Sequence, residues 1–273
     1  MLTKVEIRTR QGSLLSLPLE DDSSGFFVEE IQGLDPVKAT LVSSSFSGMD
    51  GEFYQAGRRE TRNIQFKLGL DPDPAVESVW ELRNQIYGFF MPKAEVFLKF
   101  FMSNGLIVDI SGVVETCVSP MFTSDPVVDV SIICYQPDLV DPVPVLVSDL
   151  STGDMQATYI DYKGTVNTGL VFELTVDLDM SGFTIYHTPP DDEIRTLQFE
   201  GDLFVGDVLT ISTVPGFKRA TVLRGGISYS MLYAVSPESN WIQMMPGTNA
   251  IRVYSEGEGR PYTIQYLNRY GGL

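Results

Sequence analysis

The chain has a single histidine, His187, in the run FTIYHTPP. With no second histidine and no cysteine at ligand spacing, it is poorly placed to serve as a base or a metal ligand. A Ser/His/Asp or Cys/His nucleophile would have to use this residue, so hydrolysis of that kind is close to excluded. Carboxylates are abundant, and Asp71/Asp73, Asp177/Asp179 and Asp191/Asp192/Glu193 lie near one another along the chain. A glycosidase needs two carboxylates facing each other across one cleft, but among 36 acidic residues close pairs arise by chance. Asp71-Pro72-Asp73-Pro74 has a simpler use at a helix start, and Asp191-Asp192-Glu193, after Pro189-Pro190, reads as a solvated loop. No run has the ligand order of a calcium loop, no phosphate-binding glycine motif stands between a strand and a helix, and Cys-x-x-Cys spacings are missing. Catalytic residues, cofactors and metals are therefore not expected.

Two cysteines are too few for a disulfide scaffold. Cys117 and Cys134 sit in successive strand-like runs, and a hairpin about the loop SPMFTSDP would place Cys117 opposite roughly residue 128. Two buried free thiols are expected.

Residues 48 to 68, GMDGEFYQAGRRETRNIQFKL, hold the remaining candidate. An Asp50-Gly51 turn leads to Arg58, Arg59 and Arg62 and then to a strand. The chain as a whole carries a formal charge of -17. Residues 1–140 hold 20 acidic and 11 basic groups and residues 141–273 hold 16 and 8, so both halves are acidic. That balance disfavours a phosphate-binding surface. Arginine's planar fork pairs with carboxylates, and an adjacent acidic copy would supply them, so Arg58, Arg59 and Arg62 are candidate subunit-interface residues. The plainer reading is an exposed loop whose charges pair locally, with Glu60 among the partners.

The elements that must position these residues are mostly strands. Val5-Glu6-Ile7 and Leu15-Ser16-Leu17 alternate, followed by FFVEEIQGL and KATLVSSSF. Ile64, Phe66, Leu68 and Leu70 share one face of a half-buried strand. One helix is predicted, near 74–90, with Asp73 as its cap, Pro74 in its first turn, and Val76, Val79, Trp80, Arg83, Ile86, Tyr87 and Phe90 along one face. Strands resume at EVFLKFF, GLIVDISGVV and VVDVSIICY. The run QPDLVDPVP, with three prolines and no periodicity, is a candidate linker, giving domains at 1–138 and 139–273. The second half shows strands punctuated by turns every 8–12 residues or so, the pattern of an antiparallel sandwich. No apolar run is long enough for a signal peptide or a membrane span, so synthesis in a reducing cytoplasm is expected.

The order of these pieces resembles the distal tail proteins, the Dit family, of siphovirus-type bacteriophages. The marks are Gly33-Leu34-Asp35, Gly48-Met49-Asp50-Gly51, Arg62-Asn63-Ile64, the helix ending FFMP, and Cys134-Tyr135-Gln136-Pro137. Further marks are the run Gly164 to Gly169, Gly201-Asp202, Gly206-Asp207, Met245 to Ile251, and the terminal Tyr270-Gly271-Gly272. The resemblance implies a mainly β chain, in which a ring-forming, tail-tube-like β-domain with one helix precedes a galectin-like antiparallel β-sandwich. It implies a non-enzymatic virion protein at the distal end of the tail, made in the host cytoplasm. This protein would form a hexameric ring that joins the tail tube to the baseplate hub. Partners would be other copies of itself, the tail tube protein, the hub or tail-associated protein, and receptor-binding or side proteins. DNA would pass through the channel without specific binding, and nothing would insert into a membrane. The alternative is a carbohydrate-binding tail module that uses Trp241. His187 lacks the neighbours of a sugar-binding galectin histidine, which speaks against it. A glycoside hydrolase using two acidic residues of the second half is a third reading.

Overall fold

Alternation of apolar and polar residues builds the first half into one antiparallel sheet. Its strands are β1 (Leu2–Thr9), β2 (Leu14–Pro18), β3 (Phe26–Gln32), β6 (Arg62–Leu70), β7 (Glu95–Met102), β8 (Ile107–Val118) and β9 (Val127–Cys134). A separate two-stranded ribbon, β4 (Ala39–Ser44) with β5 (Phe53–Arg59), interrupts them. The main sheet runs β2-β1-β7-β8-β9-β6-β3, and the short β10 (Leu139–Val140) pairs against β8. The structure, a computed structural model, describes residues 1–19, 25–48, 50–73, 77–121, 123, 125–256 and 259–273. Met49, Pro74 and Val76, as well as parts of the loops 119–126 and 256–261, lie outside the described residues.

The single α-helix among the described residues, α1 (Val79–Phe89), starts later than expected. Ser78, not Asp73, is its cap. Ser78 Oγ accepts from the Glu81 amide, while the Glu81 carboxylate accepts from the Ser78 amide at 2.7 Å. This reciprocal box satisfies two otherwise orphaned donors. It also holds the Glu81 carboxyl below its usual range, through the backbone bond first. The face that reaches the core is Leu82, Ile86 and Phe90, all fully buried, whereas Trp80 is 66% exposed. Full burial of three such side chains is worth about 1.5–3 kcal/mol each. Arg83 reaches off the helix to donate to Ser119 Oγ and the Pro120 carbonyl.

In the second half, Val143–Arg269 forms its own compact unit, while Tyr270–Leu273 clusters with Met1–Pro142. Its strands are β11 (Val145–Leu150), β12 (Thr158–Tyr162), β13 (Thr168–Thr175), β14 (Phe183–Thr188), β15 (Arg195–Phe199), β16 (Val208–Ser212), β17 (Arg219–Arg224), β18 (Ile227–Ser230), β19 (Gln243–Met244), β20 (Gly247–Tyr254) and β21 (Pro261–Tyr266). One sheet is ordered β11-β21-β13-β16-β17-β18 and the other β12-β20-β14-β15, with β19 against β13. Inward residues of both sheets, among them Ile185, Phe199 and Val253 from one and Phe172, Ile211 and Ile264 from the other, fill a shared core. This is a sandwich, and the chain is mainly antiparallel β with one α-helix among the described residues, as the sequence predicts.

Candidate assembly surface

Arg58, Arg59 and Arg62 meet three different fates. Along β6, Arg62 keeps the phase of Ile64, Phe66, Leu68 and Leu70, so its side chain points inward and is 1% exposed. A buried guanidinium must have partners, and Arg62 finds four carbonyls. Its Nε donates to Pro137 at 2.7 Å, and its Nη1 donates to Gly33 at 2.5 Å and Asp35 at 2.8 Å. The Nη2 donates to Gly271 at 2.6 Å. Burial pulls its pKa down, and nearby Cys134 and Asp138 oppose the shift. Gly33 has no substitute here: its φ is +86°, and a Cβ would stand 1.9 Å from the Asn63 carbonyl oxygen. Arg62 is therefore spent inside the first unit and cannot reach a neighbouring copy, which corrects its expected place at an interface.

Arg59 is half-exposed and grips Asp138 in a two-pronged ion pair, with Nη2 donating to Oδ2 at 3.0 Å and Nη1 to Oδ1. The Asp138 carboxylate is only 6% exposed, and Leu139 beside it is fully buried. The front of the proline-rich run is thus packed into the first unit. Arg58 is exposed, opposite Thr40 in the ribbon, and enters no ion pair among the described residues. Glu60 accepts from Thr40 Oγ1 at 2.6 Å.

The ribbon that carries Arg58 has no buried face. All seven residues of β5 are exposed, and Leu41, Val42, Phe46, Phe53 and Tyr54 are each at least half exposed. The Phe46 and Phe53 rings meet edge to face at 5.6 Å. A lone two-stranded hairpin is marginal in water, and an apolar one asks for cover.

The other residues singled out for chemistry serve the frame. His187 is fully buried, and its Nε2 donates to Asn249 Oδ1 at 2.9 Å. Asn249 Nδ2 in turn donates to the carbonyls of Met245 and Gly247. Burial lowers the histidine pKa, so the imidazole is neutral. Asp177 pairs with Arg260, Asp179 accepts from the Val205 amide, and Asp191 and Glu193 both hold Arg195. The cysteines are unbridged, and burial lifts both thiols to about 11. A bulge between Val114 and Thr116 sets Cys117 opposite Val130, near the position expected. Cys134 is buried, whereas Cys117 is only partly so. Among the described residues no group of three His, Cys, Asp or Glu side chains could hold a metal, and no helix is long and apolar enough to cross a membrane.

The fold is two mainly antiparallel β units, and Arg59, Arg62, Asp177, Asp191, Glu193 and His187 each find their partners within their own unit. Residues 163–270 match the family model of a siphovirus-type tail component, C-terminal domain. Among curated proteins, none matches the chain significantly in sequence. Among solved structures, the crystal structure of the SPP1 Dit protein, described as a paradigm of the hub adsorption apparatus in phages infecting Gram-positive hosts, shares the fold. The TM-score is 0.68 at 16% identity, over 97% of this chain and 98% of that one. A chain of the phage P2 baseplate in its activated, calcium-bound conformation aligns over all of both chains, at 10% identity and a TM-score of 0.48. The second unit thus carries the family's C-terminal domain, and the resemblance read from the sequence holds. Over residues 163–270 the chain matches the siphovirus-type tail component family, and over nearly its whole length it shares the fold of the SPP1 Dit protein.

Proposed function

We propose that copies of this chain close into a ring, a hexamer, at the distal end of the tail, joining the tail tube to the baseplate hub. The observation that carries this reading is the β4–β5 ribbon, an apolar hairpin with Arg58 on its flank and no cover from the described residues of its own chain. Rotational closure needs heterologous contacts, in which one patch meets a different patch on the next copy. The ribbon is one such patch, and Arg58 meets an acidic surface on the neighbour. In this reading the excess of acidic groups leaves the channel negative, so DNA passes without binding. The protein is made in the host cytoplasm, stays out of membranes, and acts as scaffold and conduit, not as an enzyme. Its further partners are the tube protein, the hub, and receptor-binding or side proteins.

The surroundings of Trp241 give no support to the carbohydrate-binding alternative. Its indole is partly buried against the core, with the Lys218 ammonium 5.4 Å from the ring centroid. His187 and Asn249 are both wholly buried. Negative-stain class averages of the purified protein test the ring directly. Closed rings with a central channel are expected, and a strictly monomeric particle at high concentration would count against the proposal.

A further inference from the structure

The β18 edge of the second unit is built to receive another strand. The sheet ends at β18, all four of its residues are exposed, and no described strand covers its outer side. Gly225 and Gly226, at φ +56° and +81°, make the two-residue turn that joins it to β17. The pair that closes such a turn exchanges both hydrogen bonds, and bonded pairs then recur every second residue. Arg224–Ile227 and Val222–Tyr229 are therefore the bonded pairs, and the Met231 amide donating to Ala220 at 2.8 Å continues that phase. Ser228 and Ser230 consequently turn their N–H and C=O groups away from β17. Exposed edges are ordinarily blunted by charge, proline or a bulge, and Ile-Ser-Tyr-Ser has none of these.

The surroundings indicate what the edge takes. Arg224 is held by the buried Asp207, with Nη2 donating at 2.6 Å and Nε at 2.9 Å, and it lies 4.5 Å over the Phe204 ring. Its charge is therefore already used. Phe204, Ile227, Tyr229 and Tyr233 expose apolar surface on this edge. Phe204 is also part of the lining of a groove of about 710 Å³ that carries Asp179, Glu200, Asp202 and Glu256 but no lysine or arginine. A second copy would bring the same carboxylates against these, so self-pairing is disfavoured, whereas a basic strand is attracted.

We propose that β18 is a docking site for an extended segment of a different protein chain, one that carries lysine or arginine and adds to the sheet as a further strand. The site uses none of the residues assigned to the ring contact. Its test uses the full chain and a fluorescein-labelled peptide alternating lysine and valine, read by anisotropy at low ionic strength. Saturable binding is expected, together with amide exchange at Ser228 and Ser230 slowed by at least about tenfold in the complex. Ser228→Pro, which deletes one outward N–H, should weaken binding about tenfold, while Ser228→Ala should leave it unchanged. Absence of saturable binding overturns the proposal, as does equal binding by Ser228→Pro or by the matched glutamate and valine peptide. Self-association that Ser228→Pro abolishes also overturns it, by giving the edge to a second copy. Should Ser228→Pro fail to fold, the wild-type amide exchange decides alone.

Discussion

Arg58 and Arg62 are close in sequence and share a charge, yet one flanks an apolar hairpin with no buried face and the other is sealed beneath four carbonyls. The Arg62 region closes on itself. Its single guanidinium collects the segments around Gly33, Asp35, Pro137 and Gly271, each of which belongs to a short motif that means little alone. The ribbon, by contrast, leaves Leu41, Phe53 and Tyr54 open to water. Residue type does not separate a frame residue from a contact residue here. The phase of the strand does.

Breaking the closed region should produce the largest effect. Arg62→Ala empties a fully buried side-chain site and takes the arginine donor from four carbonyls, at a cost on the order of 3–5 kcal/mol. Arg62→Lys should recover only part, because a point charge cannot reach four diverging acceptors. Thermal unfolding would measure both. A second readout is Cys134, whose buried thiol, at about 11, is almost wholly protonated at pH 8. Labelling by a thiol reagent should be slow in the wild type and faster in Arg62→Ala.

The clue to Arg62 is present in the sequence, since the residue stands in step with Ile64, Phe66, Leu68 and Leu70. Alternation states which side a residue faces, and an arginine on the buried side must find partners indoors. What alternation cannot state is which loops supply the acceptors, because the segments around 33, 137 and 271 are distant along the chain. β5 was invisible for the converse reason: a strand that buries no face carries no period-two signal. The helix start was legible in Ser78-Val79-Trp80-Glu81, but the prolines and aspartates just before it offered a competing cap. His187, in phase with Phe183 and Ile185, was recognisable as a frame residue, whereas its partner Asn249 was not.

Arg59 is intermediate. Replacing it with Glu sets a carboxylate against the buried Asp138 and should cost on the order of 1–2 kcal/mol, since the pair is partly open to solvent. Denaturant midpoints would show this, and an unchanged midpoint would mean that the ion pair contributes nothing measurable. For this reason a joint reversal of Arg58 and Arg59 would mix assembly with folding, and Arg58 must be changed alone.

The central claim is that the ribbon faces a neighbouring copy while the Arg62 region faces inward. Sedimentation of Arg58→Glu beside the wild type, paired with the melting temperature of each, tests it most directly. The account predicts a melting temperature within experimental scatter of the wild type and a marked loss of ring in favour of monomer. Rings persisting undiminished in Arg58→Glu, or a variant that no longer folds, would contradict it.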